Sequence, residues 1–151
     1  MFRCKYCDLK LILDGLSGYY CKECDLYFEE SEVIQSRREL VRLPELSNDP
    51  YFFQYTQTKD LLQCFTVELM NYLGLARSTR RRLKEKAFRK PQEVDKLDRE
   101  NLSKANRTIT KIETILMERN GYFPAAVYAT TLQKEEVRIR ERQRVFLKRY
   151  K

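Results

Sequence analysis

Histidine is absent from the 151 residues, which removes the side chain that most often serves as general base or proton shuttle near neutral pH. Glycine and proline are scarce, four of each, and no glycine-rich loop of the kind that cradles phosphate occurs. Acids alternate with bases, as they do on exposed helix faces, so no carboxylate cluster has the spacing to hold a catalytic metal. These absences predict a binding protein and not an enzyme. No apolar run approaches the length needed to cross a bilayer, and no signal-peptide pattern opens the chain. The expectation is a cytoplasmic, intracellular protein of about one domain by size, mainly helical, with no membrane partner.

Cysteine is what the chain does have, in a telling arrangement. Cys4 and Cys7 form one Cys-x-x-Cys pair, Cys21 and Cys24 a second, and thirteen residues separate them. Two tight turns supplying four thiolates are what a tetrahedral zinc ion requires. Two disulfides would need an oxidising compartment and would leave a fifth cysteine, Cys64, unpaired. A redox pair would sit beside a βαβ pattern, which is missing, and a catalytic zinc would keep one position open for water. One structural Zn2+ held by Cys4, Cys7, Cys21 and Cys24 is the expectation, with Cys64 a small apolar helix residue.

The residues between the pairs suit antiparallel strands. Leu9 to Leu13 is mostly apolar and strand-length, Asp14-Gly15 and Ser17-Gly18 are turn dipeptides, and Tyr19-Tyr20 leads back to the second cysteine turn and on into Leu26-Tyr27-Phe28. Lys5 and Lys22 offset part of the charge of four thiolates. Residues 3 to 28 resemble a zinc ribbon, a module that implies either nucleic-acid handling or protein docking. The expected fold is mainly α with this small N-terminal β ribbon and a helical hairpin or bundle as the body. Its parts are a ribbon at 1–30, a linker with a possible short helix at 31–50, and a helical domain at 51–151.

Charge separates these parts. The net charge of +8 divides into −2 for 1–30, −2 for 31–76, +7 for 77–90, zero for 91–133 and +5 for 134–151. The ribbon is slightly acidic, so it lacks the electrostatic means to grip a polyanion by itself and is assigned a protein partner. The basic segment supplies Arg77, Arg80, Arg81, Arg82, Lys84, Lys86, Arg89 and Lys90 as candidate nucleic-acid contacts, with DNA favoured over RNA. A solvated face is the plain alternative. A membrane-surface helix is the other, with a small apolar face of Leu83, Ala87 and Phe88.

Helical periodicity begins after Ser47-Asn48-Asp49-Pro50. Leu61, Leu62, Phe65, Leu69, Tyr72 and Leu73 predict a helix at about 58–73, broken at Gly74-Leu75-Ala76, and a basic helix follows at 77–89. Helix, glycine and basic helix invite a helix-turn-helix reading, although Arg80 and Met70 stand where that motif normally places an apolar and a small residue. A third helix at 92–119 carries a heptad seam of Leu102, Ala105, Ile109, Ile112 and Leu116, ending at Asn120-Gly121. The seam serves an intramolecular bundle or self-association, and a homo-oligomer is expected. A last helix at 125–150 is anchored by Val127, Leu132, Ile139, Val145 and Phe146.

Asn48-Asp49-Pro50-Tyr51-Phe52, the helix through Leu69, Leu73-Gly74-Leu75 and the Ser/Arg-rich stretch from Arg77 to Leu83 resemble the closing segment of one family of phage terminase small subunits. That resemblance implies a non-catalytic, ring-forming DNA-packaging subunit working in an infected host cell. A zinc-ribbon interaction adaptor and a transcription regulator are the alternatives that the residues leave open.

Overall fold

The structure, a computed structural model, describes residues 1–15 and 18–150. The protein is mainly helical with a small three-stranded sheet near its N-terminus. Of the two expected ribbon turns, Asp14-Gly15 is present with Gly15 at φ +62°, whereas the turn containing Ser17 lies outside the described residues. The chain forms two compact units, Met1–Leu43 with the stretch from Arg140 onward, and Pro44–Ile139. The first unit thus takes in the 31–43 stretch read as linker and the end of the last helix. Among the described residues no helix is long and apolar enough to cross a membrane.

In the first unit β1 (Ile12–Asp14), β2 (Gly18–Cys21) and β3 (Leu26–Phe28) lie in that order, antiparallel, with Ile12 opposite Tyr20 and Tyr20 opposite Tyr27. Strand alternation sends Leu11, Cys21 and Phe28 inward with Cys4 and leaves Ile12, Tyr20 and Tyr27 on the opposite face. Arg3 pairs with both Lys10 and Ile34, which ties the chain start to the segment after the ribbon. Residues 29–42 form two single 3-10 turns in place of one short helix, Glu30–Glu32 and Arg37–Leu40. Glu32 and Glu39 accept from the N–H groups of Glu29 and Ser36, capping boxes that start each turn separately. From the other end of the chain, Gln143 donates to the Arg42 carbonyl, and the Arg37 guanidinium lies over the Phe146 and Tyr150 rings.

The second unit is built on two long helices, α2 (Thr66–Arg89) and α3 (Lys96–Asn120), preceded by the short α1 (Thr58–Leu62) and followed by α4 (Ala129–Arg149), whose residues to Ile139 belong here. Lys86 meets Asp98 near the connecting turn and Arg77 meets Glu113 farther away, so α2 and α3 run antiparallel. The heptad seam of α3 is spent inside the chain: Ala105, Ile109, Ile112 and Leu116 are buried in one cluster with Leu69, Leu73 and Ala76 of α2 and with Phe52, Phe53 and Leu61. Burying each such aliphatic side chain contributes about 1.5–3 kcal/mol. Two of the buried polar groups are matched, Thr79 donating to the Pro50 carbonyl at 2.8 Å and Gln54 to Asn101 at 2.9 Å.

The expected break at Gly74 does not exist. α2 runs through Leu73-Gly74-Leu75 without interruption, and the break falls earlier, at Gln63–Phe65. There the Glu68 carboxylate accepts the Phe65 N–H at 2.7 Å and opens α2, while Arg119 donates to the Leu62 and Cys64 carbonyls, each at 2.7 Å. Gly74 is small for another reason: a Cβ there would meet the Val127 side chain at 3.3 Å. A helix-turn-helix is therefore ruled out at this position, and so is the Leu-Gly-Leu turn on which the terminase resemblance depends. Asn120-Gly121 does end α3, with Gly121 left-handed at φ +77° and its N–H on the Met117 carbonyl.

Candidate metal centre and candidate nucleic-acid interface

Each Cys-x-x-Cys turn is followed by an aspartate in the left-handed region, Asp8 at φ +65° and Asp25 at φ +53°. A short polar side chain tolerates that conformation when its own groups are held. Arg3 donates to the Asp8 carbonyl at 2.9 Å, and the Tyr20 hydroxyl donates to the Asp25 carboxylate at 2.7 Å. The two turns thereby face one another across the ribbon with all four sulfurs within 4.8 Å of each other. Cys4 and Cys24 are 3.8 Å apart and Cys7 and Cys21 3.4 Å. A tetrahedron of thiolates about 2.3 Å from a zinc ion has sulfurs roughly 3.8 Å apart, so the set fits one ion, and all four cysteines are free of disulfides.

The sulfurs are electrostatically unequal before any ion arrives. Burial pushes the Cys4 thiol up, but the N–H groups of Cys7 and Tyr6 outweigh it and bring it down to about 7. Cys24 is pushed up to about 12, first by its hydrogen bond with the Cys7 sulfur and then by burial. Cys7 is lowered by the Leu9 N–H, yet burial and the Cys21 sulfur together leave it raised. Without an ion the cluster keeps protons between its sulfurs, and a divalent cation would displace them. Lys5, expected to balance the thiolate charge, lies over the Tyr6 and Phe28 rings and pairs with Glu32 at 3.7 Å.

The candidate phosphate contacts separate into two groups. Arg77 points inward: it donates to the Pro124 carbonyl at 2.7 Å, to the Ala125 carbonyl at 3.1 Å and to Glu113 at 3.1 Å, which pins the segment before α4 onto α3. Lys86 is bound to Asp98 at 2.7 Å; that pairing raises Lys86 and, with the Asp95 N–H, holds Asp98 below the ordinary carboxylate value. Lys90 reaches Glu93 at 3.8 Å, and Arg82 covers the Tyr51 ring and donates to its hydroxyl. Arg80, Arg81, Lys84 and Arg89 form no ion pair among the described residues. They line, with Arg77, Glu85, Phe88, Glu113 and Ala125, an open depression of about 710 Å3.

Phe88 and Glu113 were not among the expected site residues. Phe88 follows Leu83 by five positions, well off the stripe of Ala76 and Leu83 that α2 buries, and helical spacing alone places it outside. Glu113 gave no such signal, because its role depends on α3 folding back beside α2. At the other basic end, Glu135 pairs with Arg138 and Glu141 with Arg144, so part of the α4 charge is compensated along the helix. Val145, expected as an anchor, is exposed, whereas Leu132 is buried. No protein-family model matches the chain, and no curated protein or solved structure is significantly similar to it, so the small-terminase resemblance has no support beyond its motif residues.

Proposed function

We propose that this is a non-catalytic nucleic-acid-binding accessory protein whose first unit is held by one structural zinc ion. Four soft thiolates at tetrahedral spacing favour zinc among the divalent ions, and a complete set of protein ligands leaves no position for a reacting water. The observation that supports nucleic acid is the unpaired quartet of Arg80, Arg81, Lys84 and Arg89 around one open depression. Uncompensated like charges held on a rigid helix repel each other until a polyanion neutralises them. Affinity for nucleic acid then falls steeply with salt. Replacing Arg81, Lys84 and Arg89 together by alanine should reduce the salt slope by about 2 to 3 in log–log units. An unchanged slope would remove this surface from the interface.

A second surface favours a protein partner for the ribbon. Ile12 and Tyr27 lie on one sheet face with 54% and 67% of their area exposed, an apolar patch on a segment of negative charge. Serine at both positions should leave metal content unchanged and abolish co-purification of the partner; a partner that stays bound to the variant would exclude this face.

A further inference from the structure

Phe88 is the most exposed large apolar side chain among the described residues, 89% accessible, and it stands within a ring of cations. It makes no ring contact among the described residues, so the fold gains nothing evident from it. Arg81, Lys84 and Phe88 follow one another at steps of three and four and therefore share one face of α2, over a rise of about 10 Å. The lining of the depression is not uniformly basic. It includes the half-buried Arg77–Glu113 pair and the exposed Glu85. Carboxylates there repel phosphate, but they accept hydrogen bonds from the exocyclic amino groups of bases or from a ribose hydroxyl.

Four unpaired cations, an exposed ring and two carboxylates around one depression suit a strand whose bases turn toward it. Duplex DNA keeps its bases paired and stacked and offers the Phe88 ring no face, whereas an unpaired base does. An acidic protein would satisfy the cations, yet its apolar side chains would meet the charged Arg77–Glu113 pair and Glu85. We propose that this depression binds single-stranded nucleic acid, with Arg80, Arg81, Lys84 and Arg89 on phosphates and Phe88 stacked on a base. The proposal rests on the nucleic-acid reading above and narrows it to unpaired strands.

The chain contains ten tyrosines but no tryptophan, so Phe88→Trp in the full zinc-loaded protein introduces a single tryptophan, excited selectively beyond the tyrosine band, at an exposed position. Oligothymidylate and oligouridylate should quench it by base stacking, while inorganic polyphosphate, which carries charge without bases, should bind and leave it bright. Phe88→Ala should weaken binding of the oligonucleotides by about 5- to 150-fold and leave affinity for a blunt duplex of the same length unchanged. If Phe88→Ala leaves every affinity unchanged while Arg81→Ala still lowers them, the single-strand inference is overturned and the charge-based reading stands. If no polyanion binds at low salt, both fall. Binding of polyglutamate, and of no oligonucleotide, would give the patch to an acidic protein and overturn the proposal.

Discussion

Arg77 and Arg81 sit about one helical turn apart on α2 and meet different surroundings. Arg77 donates to two carbonyls and a carboxylate, whereas Arg81 faces open solvent. Arg77→Ala should therefore cost about 2–3 kcal/mol of stability in denaturant titration, and Arg81→Ala should stay within about 0.5 kcal/mol of the parent while weakening nucleic-acid binding. At the metal centre, Cys24→Ser should abolish the bound ion in native mass spectra, since one ligand of four is lost and no histidine can replace it. Lys86 and Asp98 give a pH signature. Asp98 is depressed, so its contribution is present above the unfolded carboxylate value of about 3.9 and lost as pH falls through the lower folded value. Lys86 is raised, so its share is present below about 10.4 and lost as pH climbs through the higher folded value. Asp98→Asn should thus lower Tm at neutral pH, with the difference from the parent vanishing in strong acid.

α2 is the element on which the candidate interface depends, and its continuity keeps the exposed cations in fixed register. Gly74 sits inside it as the point where Val127 approaches. Gly74→Leu should therefore destabilise the second unit by about 1–3 kcal/mol through overpacking, despite leucine's better helix propensity. A lower Tm with unchanged metal content is the expected readout. Much of this element was legible beforehand: the apolar spacing of Leu69, Leu73 and Leu83 and the density of arginine are local facts. The glycine misled because its usual meaning, a helix end, is also local, whereas its reason here lies some fifty residues away. The cysteine spacing announced the metal centre for the opposite reason, since ligand geometry is written into short-range turns. Which of the eight cations turn inward was not legible, because Glu113, Asp98 and the Pro124 carbonyl are brought to them only by the α2–α3 hairpin.

The two units are stabilised by different means. The first has a small core around Cys4, Leu11, Cys21 and Phe28, to which the proposed ion would add four bonds; the second has a full aliphatic and aromatic core. A zinc chelator should therefore melt the ribbon while leaving α2 and α3 folded, which hydrogen exchange would register as lost protection in β1 to β3 and at Ile34, whose N–H is held by Arg3, and not in α2 or α3. In the second unit, Ile112→Ala should cost about 2–5 kcal/mol. Because the seam it belongs to is filled by α2, its Tm should fall without becoming dependent on protein concentration. One further consequence comes from the first unit's being drawn from both arms of the sequence. On the ribosome, the cysteine turns can capture their ion as soon as Phe28 has emerged, but Arg37 and Arg42 must wait for Phe146 and Gln143, more than a hundred residues later in translation. If the proposed ion binds at that stage, a nascent chain holds it before Phe146 and Gln143 reach the segment that follows the ribbon.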